Sequence, residues 1–524
     1  MITILAINQS NSLFIKQVTT YDLYTKVNNF LNSLQVSNWE GTQYPCIYDT
    51  AYLSTITNTQ GDHVFPNTLK FIIKNQNHNS SWGNKQILAD QILNTLASTF
   101  ALKNSKKSSN HIFKKKYDLG INFLLNNFDD IKNDSYFTAA FEFISTNLIQ
   151  KINAIDNESS LDPLMSSQSY KFLEKMKYKK LSKLPLDMLS KVKTPFLFAL
   201  ESLDQYDLQQ NFDHFVESNG SIATSPSATA YYLTNNPDST KKLDMLNYLD
   251  KYVNKDGGIQ SFADYRLMNI PFVLFPLTKA GIMNKSYKKV LEQLLLPYWT
   301  KQGIGHSSYF PVADADDTAV SLYLLNKYSI IDSKSKLFDS IKYYSKDDYY
   351  VTYPFEIGAS NMVNLHVLDM YLETNLINKD EEVDKLLTHI EAQLQKIDGI
   401  GGDKYHYSPY CQNAHAVLAL TKSFPEQARI LIDWFIENQH EDGKWGFNGI
   451  VTVEETAYAV LALCYYHKYA EKLDLSILRN AIEYLVTNNE PYQDLWLSKT
   501  AYTPIETVEA HITAALALYS KIPF

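Results

Sequence analysis

The sequence predicts an all-α protein of the α/α-barrel class. The main observation is a recurring unit, in which an apolar helical stretch is followed by a polar turn with Gly or Trp, a loop, and a second apolar stretch rich in Ala. Copies begin at Phe71, Phe215, Tyr298, Leu394 and Trp434. The period is roughly 40 to 50 residues, which is typical of repeat architectures. Signals for β-strands are sparse.

The two helices of each unit differ in their hydrophobic pattern. The first, as in ARILIDWFIENQ (428–439), repeats apolar residues at helical spacing and leaves a polar face for water. The second, as in TAYAVLALCYY (456–466), is apolar nearly all round and therefore has to be buried on all sides. The second helices are thus predicted to form an inner layer around a central cavity, and the first helices an outer layer.

The composition is that of a globular protein and excludes two classes of partner. Of the 524 residues, 45% are hydrophobic and 20% are charged, and the net charge is -9. An acidic chain lacks the basic surface that nucleic-acid binding needs, so we expect no nucleic acid as a partner. No stretch approaches the ~18 apolar residues of a membrane span, so we expect no transmembrane segment.

Cysteine usage and the N-terminus predict a cytoplasmic protein. Cys46, Cys411 and Cys464 are far apart and lack metal-ligand spacing, as expected of buried thiols in a reducing compartment. The first residues, MITILAINQSNSLFIK, have neither the charged start nor the long apolar core of a signal peptide.

Three carboxylates are crowded into PVADADDTAVSLYLL, namely Asp314, Asp316 and Asp317. The internal repeat aligns DDTAV with EETAY at 454–458, which places the aspartates at the N-terminal end of an inner helix. Helix capping is one interpretation, since Asp and Glu are favoured in a first turn. The alternative is an acid site, because crowded carboxylates beside a cavity are destabilising unless one of them is protonated.

An acid in a cavity lined by aromatic side chains suits one demanding reaction. Carboxylates that interact titrate as a group, and in apolar surroundings one of them stays protonated near neutral pH. Such an acid can protonate a carbon–carbon double bond, and ring faces then stabilise the carbocation. Water has to be excluded until the cation is quenched.

Several motifs resemble those of class II diterpene cyclases similar to copalyl diphosphate synthase. DADD (314–317) matches the D-x-D-D pattern of class II terpene cyclases, and QNHNSSW (76–82) and QHEDGKW (439–445) resemble the Gln-Trp motifs of that superfamily. Further landmarks follow in the order of the family: YDTAY (48–52), SSWGN with LNTLASTFALK (93–103), SPSATAYYL (225–233) and YWTKQGI (298–304). The resemblance covers nearly the whole chain.

The resemblance implies two α-barrel domains, with substrate lying between them. A γ domain is expected at 40–250, inserted into a β domain formed by 1–39 plus 251–524. We expect no class I α domain, because the sequence has no D-D-x-x-D motif; DDIKND (129–134) misses that spacing, and NDSYFTAAFE (133–142) misses the second metal motif by one position. The resemblance implies that geranylgeranyl diphosphate is cyclised with its diphosphate retained.

The resemblance also assigns roles around the acid. The middle aspartate of the motif, Asp316, is the implied general acid, and Asp314 and Asp317 support it electrostatically. An asparagine on a following inner helix is expected to hydrogen-bond the acid, and SNMVNLHVL places Asn364 there. A buried polar residue satisfied elsewhere is the alternative for Asn364.

The diphosphate end is expected in the γ domain. Family members use an acidic stretch linked to Mg²⁺, and here the matching carboxylates are Asp129, Asp130, Asp134 and Glu142. Such oxygen ligands suit Mg²⁺ and a diphosphate, although a solvated helix end is the alternative. Lys180 and Lys279 are the predicted diphosphate-binding lysines. For Lys180, a plain surface cluster of lysines is the alternative.

Three positions bear on the product. Where plant ent-copalyl diphosphate synthases quench the cation with a His and Asn pair, alignment places Phe198 and Ser261. Within the resemblance, this loss of the base goes with rearranged kolavenyl (clerodane) or halimane skeletons, with unrearranged copalyl diphosphate as the alternative. Packing alone is the other interpretation of Phe198. His306 stands where the family often has Trp, as a substitute base or a polar lining residue.

Other functions are compatible with this predicted fold. A cyclase acting on farnesyl diphosphate or on a prenylated aromatic acid keeps the same chemistry. A protein prenyltransferase needs a zinc site with Asp, Cys and His, a glycoside hydrolase needs paired carboxylates, and a helical scaffold needs no acid at all. For the diterpene cyclase, the product is expected to pass to a separate class I synthase or phosphatase.

Overall fold

The structure of the chain is a computed structural model, which describes residues 21–133, 137–156, 160–182, 191–206, 212–356, 358–377, 379–394 and 402–522. Its first described helix covers 21–36. The α-helices that follow are Ile47–Leu53, Thr68–Lys74, Leu88–Asn104, His111–Asn127, Phe141–Ile155, Asp162–Met165, Gln168–Leu181, Pro226–Asn235, Lys242–Tyr252, Arg266–Lys279, Lys285–Val290, Ala315–Lys327, Asn361–Glu373, Asp380–Leu394, Pro409–Leu420, Pro425–Glu437, Val453–Tyr469, Arg479–Thr487 and Ile505–Tyr519. The strands Trp496–Leu497 and Ala501–Tyr502 pair antiparallel, with Trp496 opposite Tyr502.

Six helices of the C-terminal half form a closed ring. Each packs against the next in chain order, and the last packs against both its predecessor and the first. The members of this inner ring are Arg266–Lys279, Ala315–Lys327, Asn361–Glu373, Pro409–Leu420, Val453–Tyr469 and Ile505–Tyr519. They are buried along most of their length, as predicted for helices that are apolar on all faces.

Polar side chains fix where the inner helices begin. Asp314, Ser360, Ser408 and Thr452 each precede an inner helix and accept a hydrogen bond from a backbone N–H of its first turn. Such caps satisfy donors that have no partner inside the helix. The outer helices Asp380–Leu394 and Pro425–Glu437 pack on this ring through one face only.

A second ring forms in the N-terminal half. It consists of four α-helices and one 3₁₀ segment that contact one another in a closed circle. These members are Ile47–Leu53, Leu88–Asn104, Phe141–Ile155, Pro195–Tyr206 and Pro226–Asn235. Leu88–Asn104 and Phe141–Ile155 also contact the more peripheral helices His111–Asn127 and Gln168–Leu181.

The Gln-Trp motifs perform the same structural task in both halves. Trp82 Nε1 donates to the carbonyl of Ile72 at 2.7 Å, and Trp445 Nε1 donates to the carbonyl of Phe435 at 2.7 Å. Both indoles are fully buried. Each motif therefore ties the turn to the preceding outer helix, and this explains the repeat seen in the sequence.

Two buried clusters account for most of the core. One combines 23–39 with apolar side chains from 262 to 518, and the other combines side chains from 46 to 259 with Phe310. The prediction of an all-α, helical-barrel fold is confirmed. In the part of the chain that the structure describes, no helix is long and apolar enough to cross a membrane.

Candidate active site

The aspartate cluster lies at the start of the inner helix Ala315–Lys327. Asp314 is the N-cap, and its Oδ1 accepts from the backbone N–H of Asp317 at 2.8 Å. Asp314 and Asp317 are both buried. Burial, together with the neighbouring carboxylates, raises the pKa of Asp317 well above its usual range, and burial raises that of Asp314 to about 7. Capping therefore explains Asp314, and burial beside two other carboxylates favours the protonated form of Asp317.

Asp316 is bound differently from its two neighbours. Its Oδ1 lies 2.6 Å from Nδ1 of His366, which stands on the next inner helix, Asn361–Glu373. Nε2 of His366 in turn lies 2.9 Å from Nδ1 of His415 on the helix Pro409–Leu420. The Asp316 side chain keeps 18% exposure, while both imidazoles are buried. Burial and the neighbouring imidazoles lower the pKa of His415 well below its usual range.

Asn364 does not take the role predicted for it. Its Oδ1 accepts from the backbone N–H of Tyr350 at 2.8 Å, and its amide group donates to the carbonyls of Tyr350 and Ser360 at 2.9 and 2.7 Å. Both amide hydrogens are thus used by the backbone. The prediction that Asn364 hydrogen-bonds Asp316 is wrong, and His366, two residues later on the same helix, has that place.

A continuous series of aromatic rings leads away from the acid. Neighbouring ring centroids are 5.0 to 6.3 Å apart, within the range of favourable aromatic pairs. We call this series the aromatic wall; from the acid outward its members are His366, Phe272, Trp496, Tyr502, Phe262 and Phe198. Asp316 and Phe198, at its two ends, are half-buried, whereas the rings between them are buried.

Phe198 and Ser261 lie near each other at the far end of the wall. Lys499 Nζ donates to the Phe198 carbonyl at 2.8 Å and sits 4.6 Å from its ring centroid. Ser261 Oγ lies 3.4 Å from Oγ of Ser498, the residue before this lysine. Lys499 is fully buried and also binds Glu201 Oε1 at 2.9 Å. Phe198 therefore contacts Lys499, and Ser261 contacts the residue before it.

His306 belongs to the same region. Its ring centroid is 6.4 Å from that of Phe198 and 6.0 Å from that of Phe262. Nε2 lies 2.8 Å from Oγ1 of Thr224, which stands in the N-terminal half of the chain. Phe198 and His306 thus both pack on Phe262, the residue that follows Ser261.

The predicted diphosphate residues are separated into two groups. Glu142 is buried and its Oε1 forms an ion pair with Lys180 Nζ at 2.5 Å. Asp129 and Asp130 are exposed on the 3₁₀ segment Phe128–Asn133, where Asp129 accepts from the backbone N–H of Ser169 at 3.0 Å. Asp134 lies outside the described residues.

Magnesium is not supported by this arrangement. Among the residues that the structure describes, no three His, Cys, Asp or Glu side chains are placed to hold a metal ion. Glu142 is instead paired with Lys180, whose ammonium would repel a cation. The described carboxylates therefore do not fit a Mg²⁺ site, and no step of the reaction is assigned to the metal.

Lys279 is not available to a diphosphate. Its ammonium is buried at the end of Arg266–Lys279, 2.5 Å from Asp369 Oδ1 and 3.7 Å from Glu373 Oε1. Its pairing with Asp369 satisfies a charge that would otherwise be buried alone. The predicted diphosphate role of Lys279 is therefore wrong.

A lysine that the sequence did not single out is better placed. Lys404 Nζ lies 2.7 Å from Glu356 Oε2 and keeps 31% exposure. The ring of Phe355, next to Glu356, is 6.2 Å from that of Phe196, and Phe196 is 6.5 Å from Phe143. These three rings connect the neighbourhood of the Lys404 pair with Phe143, the residue after Glu142.

Fold and site together define an α/α-barrel protein with a cluster of three aspartates at the start of an inner helix. No protein-family model matches the chain. A type B diterpene cyclase from Mycobacterium tuberculosis is 26% identical over 90% of this chain and 95% of its own length. Ent-copalyl diphosphate synthase 2 from Isodon eriocalyx is 28% identical over 64% of this chain, which spans only 40% of that plant protein.

A structural comparison agrees with these relatives. The ent-copalyl diphosphate synthase from Streptomyces platensis superposes with a TM-score of 0.77 at 21% identity, covering 95% of this chain and 99% of that one. At that identity the match shows the fold alone. Together, the sequence relatives and the shared fold support a class II diterpene cyclase, an enzyme of the intramolecular lyase or isomerase kind.

Sequence reasoning missed His366, Lys404 and Lys499. His366 stands in SNMVNLHVL, the stretch from which Asn364 was chosen, and the two differ by half a helical turn. A lone lysine such as Lys404 or Lys499 has no local signal. Only the packing of distant segments shows that each one meets a carboxylate.

Proposed function

We propose that the enzyme cyclises geranylgeranyl diphosphate to a bicyclic diterpenyl diphosphate, with Asp316 as the general acid. One observation supports this most strongly. Asp316 is the half-exposed carboxylate of its cluster, it is held by His366, and it stands at the start of the aromatic wall. We further propose that the two cores are the β and γ domains, with substrate between them.

The first step moves one proton. The O–H bond of Asp316 breaks, a C–H bond forms at the terminal alkene of the substrate, and the alkene becomes a tertiary carbocation. Attack by the remaining double bonds closes two rings, while the carbon–oxygen bond to the diphosphate is untouched. His366, hydrogen-bonded to Oδ1, stabilises the carboxylate that remains, because a hydrogen bond to the charged form favours it.

The aromatic wall then protects the cation. Its rings would line the proposed route of the cation from Asp316 to Phe198, and ring faces attract positive charge. Their burial also excludes water along that path. The wall thus supplies the two conditions that a carbocation needs to survive until ring closure is complete.

The diphosphate is proposed to bind between Lys180 and Lys404. Both ammonium groups are partly exposed, and Lys remains a common phosphate ligand as a point charge. Each is held by a carboxylate, Glu142 or Glu356, which positions it in the absence of substrate.

Replacing either lysine tests this site. Lys180→Ala and Lys404→Ala should each raise KM about tenfold and change kcat less, since each removes one charged contact. Lys179→Ala, an exposed neighbour, is the matched control and should leave both constants unchanged. Steady-state kinetics that show equal effects for Lys179→Ala and Lys180→Ala would refute the assignment.

The product skeleton is proposed from the far end of the wall. With Phe198 and Ser261 where plant enzymes have their base pair, no base at those two positions quenches the first bicyclic cation, which leaves time for hydride and methyl shifts. We therefore propose a rearranged kolavenyl or halimane diphosphate, which a separate class I synthase or phosphatase would consume. We propose that Phe198 matters because it is not a base, rather than because its ring stabilises the cation. One side of that ring already faces the Lys499 ammonium.

Product analysis tests the proposed function. The purified enzyme is incubated with geranylgeranyl diphosphate and, separately, farnesyl diphosphate; phosphatase treatment and mass spectrometry with NMR then identify the alcohols. A bicyclic C20 product from the first substrate supports the proposal. Conversion of farnesyl diphosphate alone, or release of inorganic diphosphate, would contradict it.

A further inference from the structure

His306 is held in position by two separate segments of the chain. Its backbone carbonyl accepts from the N–H groups of Leu267 and Met268 at 3.1 and 3.2 Å, at the start of the inner helix Arg266–Lys279. Its Nε2 reaches Thr224 Oγ1 at 2.8 Å. The imidazole is therefore oriented by both halves of the chain.

Thr224 is itself strained into place. Its φ is 58°, in the left-handed region that β-branched residues rarely adopt. Its carbonyl accepts from Tyr248 Oη at 2.7 Å and from the backbone N–H of Ala263 at 3.0 Å, and these bonds hold the strained backbone. Thr224, the hydrogen-bond partner of His306, thus has an unfavourable backbone conformation that the surrounding hydrogen bonds maintain.

The hydrogen bonds define which ring nitrogen is basic. Thr224 Oγ1 donates to the carbonyl of Ala223 at 2.6 Å, so it accepts from Nε2–H of His306. In the neutral imidazole Nδ1 then has the lone pair. Burial lowers the pKa of His306 to about 4, which keeps the imidazole neutral at neutral pH.

We propose that His306 is the base that ends the reaction by taking a proton from the cyclised carbocation. This inference rests on the proposed function and names the residue that completes it. The C–H bond beside the cationic carbon breaks, its electron pair becomes the new alkene, and the proton forms a bond to Nδ1. The imidazolium later returns its proton to solvent, and Asp316 regains one, so the overall reaction is an isomerisation.

A weak base is sufficient for this task. A C–H bond next to a carbocation is far more acidic than any imidazolium, so a lowered basicity does not hinder the transfer. What matters is position, and His306 lies against Phe198 and Phe262 at the end of the wall where the cation arrives.

The surroundings also select the kind of product. Phe198, Phe262 and Phe310 pack around the imidazole with centroids 5.9 to 6.4 Å away. Three apolar rings leave little room for a water molecule beside the cation. The enzyme is therefore inferred to release an alkene-containing diphosphate rather than a hydroxylated one.

Substitution of His306 tests the inference through product identity. His306→Phe removes the base and keeps the ring, while His306→Asn is smaller and admits water. Both should still consume geranylgeranyl diphosphate, but the share of the wild-type alkene should fall about tenfold or more in favour of isomeric alkenes or alcohols. Thr224→Val, which removes only the hydroxyl that orients Nε2, should give a partial shift in the same direction.

Each outcome decides for or against the inference. If His306→Phe and His306→Asn both give the wild-type product alone at the wild-type kcat, His306 is not the base. If a variant fails to fold by circular dichroism, the other and Thr224→Val provide the same readout, and an unchanged product from them overturns the inference. A wild-type enzyme that converts no geranylgeranyl diphosphate would instead refute the proposed function.

Discussion

Two helices of the inner ring begin with a similar cap, but the carboxylates in their first turns have different surroundings. Asp314 caps Ala315–Lys327 by accepting from the N–H three residues later, and Thr452 caps Val453–Tyr469 in the same manner. Thr318 and Thr456 each bond the loop before their helix, through Ile304 at 3.0 Å and Trp445 at 3.2 Å. The local scaffold of the two helices is therefore the same.

The aligned carboxylates have different surroundings. Glu454 Oε1 accepts from Tyr458 Oη and Trp496 Nε1, both at 2.8 Å, and lies 3.2 Å from His406 Nε2. It is 1% exposed. Asp316, at the equivalent place, contacts one imidazole and is 18% exposed. The comparison shows that two aligned carboxylates can differ in the number of hydrogen-bond donors around them and in their exposure. Both differences affect whether a carboxylate can act on a substrate.

The largest expected effect comes from removing the exposed acid. Asp316→Asn preserves size and hydrogen bonding but cannot protonate an alkene, so kcat should fall by about 10³-fold or more. Turnover of geranylgeranyl diphosphate measured by mass spectrometry checks this. Retention of more than a tenth of wild-type turnover would show that another group starts the reaction.

The matched control is Glu454→Gln, at the equivalent position. Turnover should stay within a few-fold of wild type, because Glu454 is enclosed by its own donors. Stability should fall by about 1–3 kcal/mol, since a buried charged partner of His406 is lost. Thermal denaturation measures that loss. Equal effects of the two variants on turnover would remove the distinction between the carboxylates.

A smaller effect is expected from the imidazole that contacts the acid. His366→Phe removes the hydrogen bond to Asp316 Oδ1 and should lower kcat about 100-fold while KM changes little. His366→Asn retains a donor and should recover part of the rate. If both variants change only stability, His366 is structural and does not position the acid.

Much of the fold was predictable because its signals are local. The 40- to 50-residue period, the apolar second helices and the Gln-Trp turns are written in consecutive residues, and each one reappears as an inner helix or as an indole bonded to an outer helix. The acid at Asp316 was predictable for the same reason. Its motif is four residues long and sits at a helix start.

The partners of the acid and of the diphosphate were not predictable in this way. Asn364 and His366 are two residues apart, and their directions depend on how one inner helix rotates against the next. The sequence around Lys279 does not show that its ammonium pairs with Asp369, because that contact depends on helix packing. Lys404 shows the opposite case, since its ion pair with Glu356 joins residues 48 positions apart.

By itself, the sequence determined the helical class, the inner and outer layers and the place of the three aspartates at the start of an inner helix. Hydrophobic period, cap residues and motif spacing act within a few turns of chain, so they can be read directly. Only the tertiary structure decided that His366 supports Asp316, that Glu454 is closed off and that His306 meets Phe198. These contacts join residues 42 to 108 positions apart, and side-chain packing between helices selects them.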